Sequence, residues 1–103
     1  MKLLVLGLNH KTAPVDVRER LAFGPDIIVG ALRDLTSCDG VAEGVVLSTC
    51  NRTEIYCAVQ DCSEEAVRHW LSRFHGVEQE RVGPFLYAYL GRDAVSHLLR
   101  VCS

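Results

Sequence analysis

Val45-Val46-Leu47-Ser48-Thr49-Cys50-Asn51-Arg52-Thr53-Glu54-Ile55-Tyr56-Cys57-Ala58-Val59 contains two apolar runs parted by a short polar break. Val45–Leu47 and Thr53–Val59 read as strands. Side chains alternate along a strand, so Thr53, Ile55, Cys57 and Val59 share one face and Glu54, Tyr56 and Ala58 the other. Ser48–Arg52 between them has the length of a hairpin connection. This hairpin lies near the middle of the chain, and the segments on either side resemble each other in order.

Upstream, Lys2–Leu8 reads as a strand rich in Leu and Val and apolar on both faces, as suits a central strand covered by helices. Gly7-Leu8-Asn9-His10-Lys11-Thr12-Ala13-Pro14 then loses periodicity and reads as a polar loop, with Pro14 disfavouring helix at Ala13. Val17–Ala22 reads as a short helical turn. Pro25 opens a helix in which Ile28, Ala31, Leu32 and Leu35 recur at helical spacing, ending near Ser37–Gly40. Downstream, Asp61 is positioned to cap a helix, with Glu64 three residues on to complete a capping box. Ala66, Val67, Trp70, Leu71 and Phe74 form its apolar stripe, and Gly76 ends it. Pro84–Tyr89 reads as a fourth strand, and Gly91–Asp93 starts a last, mostly apolar helix. The pattern predicts an α+β fold: a ferredoxin-like βαββαβ sandwich with an antiparallel sheet and an additional C-terminal helix.

With 103 residues the chain has room for a single domain, 1–103. Its 49% hydrophobic and 23% charged residues are ordinary for a globular protein and exclude a disordered chain or a coiled coil. Eleven basic and 13 acidic side chains leave a net charge of -2, so no bulk positive field holds nucleic acid and any such contact is local. The run Leu3–Leu6, interrupted by Gly7 and Asn9, is too short to span a bilayer, and no signal-peptide cleavage site is clear. The five cysteines, Cys38, Cys50, Cys57, Cys62 and Cys102, are odd in number and lack CxxC spacing, which predicts free thiols in a reducing, cytoplasmic setting. The last helix reaches Ser103 with no stop signal, so the chain is expected to be part of a longer protein.

Ser48-Thr49-Cys50-Asn51-Arg52 is the segment where chemistry is expected. A thiol in a polar turn, with turn amides and Arg52 to favour the thiolate, is a strong nucleophile whose natural target is an acyl group. Thr49, Asn51 and the turn amides are suited to the polar parts of such a substrate. The competing reading makes Cys50 one more small buried residue and Arg52–Glu54 a surface pair. The loop after the first strand ends at the same sheet edge, so Asn9, His10 and Lys11 can approach the thiol. His97, on the last helix, either packs that helix on the sheet or pairs with the thiolate or a carbonyl. His69 and His75 read as surface residues. No GxGxxG, Walker loop, HxxxH or paired CxxC occurs, so no dinucleotide, triphosphate or zinc site of those kinds is expected.

Taken together, these islands resemble the N-terminal, substrate-binding catalytic domain of the glutamyl-tRNA reductase family. Gly7-Leu8-Asn9-His10-Lys11-Thr12-Ala13-Pro14 matches the family's Gly-x-Asn-His-Lys-Thr-Ala-Pro loop. Arg18 and Glu19 match its Arg-Glu pair. Leu47 to Glu54 match its Leu-Ser-Thr-Cys-Asn-Arg-Thr-Glu signature, and Ala94 through Val101 match its Ala-x-x-His-Leu-x-Arg-Val segment. The resemblance implies reduction of charged tRNA(Glu) to glutamate-1-semialdehyde with NADPH, in tetrapyrrole biosynthesis. It implies Cys50 as the thioester-forming nucleophile and His97 as its catalytic partner. Thr49 and Arg52 would hold the glutamyl group, with Arg52 on its free carboxylate and Asn51 shaping the turn. Asn9 and His10 would line the pocket less directly. It also implies a homodimeric full-length enzyme whose NADPH-binding and dimerisation domains lie outside this chain. The 103 residues alone would then bind no cofactor or metal and reduce nothing. The alternatives are a non-catalytic ferredoxin-like module that binds a ligand or regulates, and a thiol switch, for which no resolving cysteine pair is evident.

Overall fold

A computed structural model of the chain describes residues 1–61 and 63–103. The central hairpin is longer than its apolar runs suggest: β2 spans Val41–Ser48 and β3 Arg52–Val59. β1, Lys2–Asn9, lies antiparallel beside β3, from Lys2 opposite Val59 to Asn9 opposite Arg52. β4, Tyr87–Leu90, pairs with the other side of β1, giving the sheet order β2-β3-β1-β4 with every neighbour antiparallel. This is the ferredoxin-like arrangement expected from the element order. β1 and β3 are interior strands, which is why both are apolar along most of their length.

The helices divide between the two faces. α1 (Val15–Arg20), α2 (Ile28–Thr36) and α3 (Glu64–His75) lie with a short α4 (Gln79–Val82) over one face. There Leu4, Leu6, Leu8, Ile55 and Cys57 pack with Ala31, Leu35, Val67, Trp70 and Leu71 in the main core. α5 (Arg92–Cys102) covers part of the opposite face, where Val5 and Tyr56 pack against Ala94 and Leu98.

Several local details differ from expectation. Ser63, not Asp61, caps α3, its hydroxyl accepting from the Ala66 amide at 3.1 Å, while Asp61 adopts φ +56°. A serine directly before the first turn reaches that orphan amide, and Asp61 stands too early in the chain to do so. Pro84 belongs to a 3-10 turn, Gly83–Phe85, so β4 starts only at Tyr87. The α4 turn was not expected, because four residues are too few to show a helical period. Cys62 lies outside the described residues; Cys38, Cys50 and Cys102 are free thiols.

His75 is half-buried rather than a surface residue. Its ring meets Phe23 edge-on at a centroid distance of 4.6 Å, and its buried Nε2 has no hydrogen-bond partner. Burial holds its pKa below the ordinary value, because the charged ring is poorly solvated there. The unfolded chain therefore takes up a proton more readily than the folded one. Stability is therefore lost as pH falls below about 6.5, the ordinary histidine value. His75→Phe is expected to flatten the fall in melting temperature between about pH 7 and pH 5. Parallel curves for the two proteins in thermal melts across that range would refute it.

Gly7 occupies a position that no side chain can share. A Cβ there would lie 2.6 Å from the Thr53 carbonyl oxygen and 2.8 Å from Glu54 Cγ. Glu54, Gly7 and Tyr87 are directly opposite one another across β3, β1 and β4. The bare glycine lets the Glu54 side chain lie over β1 and reach the neighbouring strand. Gly7→Ala is expected to destabilise the chain by about 1–3 kcal/mol, the usual cost of overpacking. Equilibrium urea denaturation checks this, and an unchanged midpoint would rule the close approach out.

Candidate active site

The β2–β3 turn is built by Thr49. Its hydroxyl accepts from the Asn51 and Arg52 amides, both at 3.2 Å, and its own amide donates to the Arg52 carbonyl at 2.8 Å. A threonine side chain bonding two residues onward closes a turn in this way. Thr49 thus does the shaping expected of Asn51, and it retains its own O–H to donate. Cys50 and Asn51 are exposed at the tip.

Arg18 ties this turn to α1. It donates from Nη1 to the Ala13 carbonyl at 2.7 Å and from Nε to the Cys50 carbonyl at 3.3 Å. Phe23 donates its amide to Ser48 Oγ at 2.9 Å, a second link from the same segment. Between them opens a cleft of about 260 Å³ lined by Val15, Arg18, Glu19, Ala22, Thr49, Cys50 and Asn51. A larger cavity of about 400 Å³ lies between β2 and α5, but its walls, among them Leu3, Val45, Leu47, Leu98 and Val101, are apolar. The smaller cleft is the candidate site because it combines an exposed thiol with fixed polar groups.

The loop after β1 closes on itself. Asn9 Oδ1 accepts from the Lys11 and Thr12 amides at 2.9 and 3.2 Å, and the Asn9 amide donates to Thr12 Oγ1 at 3.0 Å. Asn9 faces Arg52 across the β1–β3 pair, so it borders the site while serving mainly to turn the chain. His10 is exposed on that loop.

Arg52 and Glu54 are not a surface pair. Glu54 has 0% exposure, and Arg52 Nη1 lies 3.3 Å from its Oε2. That nitrogen is itself buried and not aligned for a hydrogen bond, so the contact is an ion pair. Tyr56 OH donates to Glu54 Oε1 at 2.7 Å and Tyr87 OH to Oε2 at 2.6 Å, and His97 Nε2 also meets Oε2. Burial alone would raise the Glu54 pKa, but the hydrogen bonds from Tyr87, His97 and Tyr56 outweigh it and hold the carboxyl below its ordinary value, and a protonated His97 ring would lower it further. Its stabilising contribution is therefore in place above the ordinary carboxylate range and is lost only as pH falls through that lowered value. Both tyrosines are pushed up, by burial first and then by bonding to the carboxylate.

The expected site residues thus fall into two groups. Thr49, Cys50 and Asn51 line the cleft toward α1, together with Arg18. Arg52 and His97 meet on Glu54 beneath α5, and His97 Nε2 is taken up by that carboxylate rather than by Cys50. The guanidinium charge of Arg52 is likewise engaged by Glu54. Sequence reading missed Glu54, Tyr56, Tyr87 and the bracing role of Arg18. The available signal for Glu54 was an acid on the same strand face as Tyr56. Its other partners lie 33 and 43 residues away, beyond any local pattern. Of the other thiols, Cys102 is exposed, whereas Cys57 is 1% exposed.

Among the described residues no helix is long and apolar enough to cross a membrane. A family model described as "Glutamyl-tRNAGlu reductase, N-terminal domain" matches residues 6–103. Glutamyl-tRNA reductase of Solibacter usitatus is 50% identical over 105 residues, covering all of this chain and 25% of the relative. The enzyme of the same name from Shewanella oneidensis is 50% identical over 103 residues, again covering the whole chain and 24% of the relative. The chain therefore spans about a quarter of the length of these curated relatives. The solved structure of "Glutamyl-tRNA Reductase from Methanopyrus kandleri" superposes with a TM-score of 0.71 at 28% identity, over 96% of this chain and 21% of that one. With its fold and the whole of its length so matched, the chain belongs to the family of glutamyl-tRNA reductase N-terminal domains.

Proposed function

We propose that residues 1–103 are the substrate-binding catalytic domain of an NADPH-dependent reductase acting on glutamyl-tRNA(Glu), and that Cys50 is its nucleophile. The observation that carries this reading is the exposed Cys50 thiol on a turn pinned by Thr49 and Arg18 at the mouth of a cleft. Pinning matters because an attacking group held in place avoids much of the entropy loss of a bimolecular step. The thiolate attacks the ester carbonyl that joins the glutamyl group to the tRNA ribose. A carbon–sulfur bond forms, the carbon–oxygen bond breaks, and the ribose hydroxyl leaves with a proton. Thr49 donates its free O–H to the acyl portion. Arg52 turns the part of its fork not facing Glu54 to the glutamyl side-chain carboxylate, to which a guanidinium offers parallel donors. Asn51, Asn9 and His10 border the group.

NADPH would supply the hydride that reduces the thioester to the aldehyde. The residues of this chain do not fit it: all sheet neighbours are antiparallel, so the parallel βαβ crossover that seats a dinucleotide does not arise among the described residues. We assign that binding, and dimerisation, to the remaining three quarters of a full-length protein, placed in the cytoplasm on account of its free thiols. The reductase serves tetrapyrrole biosynthesis.

Incubating the full-length protein with glutamyl-tRNA but without NADPH tests the assignment. After an acid quench, peptide mapping is expected to find the glutamyl group on Cys50. Acylation of Cys38 or Cys102 instead, or a ligand bound without any acyl transfer, would replace the reading with a module that binds only.

A further inference from the structure

Among the described residues Glu54 is the only fully buried acid, and four side chains converge on its two oxygens. An arginine has no acceptor, and two tyrosyl hydroxyls aimed at one carboxylate are donating. This set suits an ionised carboxylate, which can only accept. The contact from His97 Nε2 to Oε2 is then made by an N–H, which places a proton on Nε2. In the neutral ring the lone pair then falls to Nδ1. The ring is also held against rotation. Tyr89 stacks on it at 4.6 Å with planes 23° apart, and Tyr87 lies 5.3 Å away. β1 contributes no competing group here, because the residue opposite Glu54 is Gly7.

We propose that Glu54 is a positioning residue that holds His97 in its Nε2–H tautomer and leaves Nδ1 as the proton acceptor of the site. A buried acid orients the base of a serine protease triad by the same physics, with the two ring nitrogens in exchanged roles. The consequence for turnover rests on the function proposed above. With Nε2 committed to Glu54, Nδ1 is the nitrogen left to accept a proton released in the acyl transfer and return it to the departing ribose oxygen, so that protons balance.

The 103-residue chain contains the four partners of Glu54 described above, so the tautomer is read on it directly by long-range proton–nitrogen NMR of the neutral histidine rings. The expected result is a proton on Nε2 of His97 in the wild type and loss of that single form in Glu54→Gln. In the full-length protein, kcat of Glu54→Gln is expected to fall about 10- to 100-fold. His97→Gln keeps an amide donor for Glu54 but has no ring base, and is expected to lose kcat similarly while its melting temperature stays close to wild type. A wild-type proton on Nδ1, an unchanged tautomer in Glu54→Gln, or kcat within about twofold of wild type in either variant would overturn the proposal. The wild-type spectrum decides the tautomer even if a variant does not fold. Failure of the Cys50 reading would show separately, as activity surviving in Cys50→Ser.

Discussion

Cys50→Ser in the full-length protein is expected to reduce semialdehyde formation from glutamyl-tRNA to background. The substitution is nearly isosteric, and Cys50 is exposed at a turn whose hydrogen bonds come from its neighbours and from its own carbonyl. Stability should therefore change by less than about 0.5 kcal/mol. What is lost is the chemistry. A serine hydroxyl ionises far less readily than a thiol and carries no sulfur, so the thiolate is lost and no thioester can form. Steady-state product formation and a thermal melt measured together decide the matter. Wild-type rates in a normally folded variant would remove Cys50 from the mechanism.

Arg52→Lys is expected to lower kcat/KM by about 30- to 1000-fold, equivalent to about 2–4 kcal/mol of lost charge-assisted contact in a partly buried pocket. Arg52 is 25% exposed and already holds Glu54 with one edge of its guanidinium. Only a fork can serve a buried carboxylate with one edge and a substrate carboxylate with the other; lysine offers a single point charge to both. Lysine still leaves Glu54 a positive neighbour, which limits the damage to the fold compared with removing the charge altogether. Alkylation of Cys50 by a small neutral reagent should continue at the wild-type rate, because the turn is pinned by Thr49 and Arg18. A near-normal kcat/KM would end the carboxylate-binding role. A fall in kcat/KM accompanied by slowed alkylation would assign the effect to a disturbed turn.

Solvent access by itself does not single out Cys50 among the described thiols. Cys57 is shielded in the main core, but Cys102, like Cys50, is exposed. Selective acylation at Cys50 therefore depends on the substrate being held in the cleft, and a generic alkylating reagent tests exposure alone.

The element order, the antiparallel sheet and the division of each strand into two faces were legible in the sequence by itself. These features arise from short-range rules: alternation in Thr53–Val59, helical spacing in Ile28–Leu35, a glycine stop at Gly76. So was the turn bearing Cys50, because a polar break between two apolar strands has few other uses. Capping at Ser63 rather than Asp61 was a choice between near neighbours that local propensity leaves open. The tertiary structure alone decided the burial of Glu54 and the company of Arg52 and His97. Glu54 is a carboxylate on a strand, and in isolation its solvation favours water. It is buried because Gly7 leaves a gap on β1, Tyr87 on β4 and His97 on α5 bring donors into that gap, and Arg52 balances the charge. None of these partners is near Glu54 in sequence except Arg52 and Tyr56. Their convergence is a property of strand register and of where α5 crosses the sheet, which is information held in the packed fold and not in any window of residues.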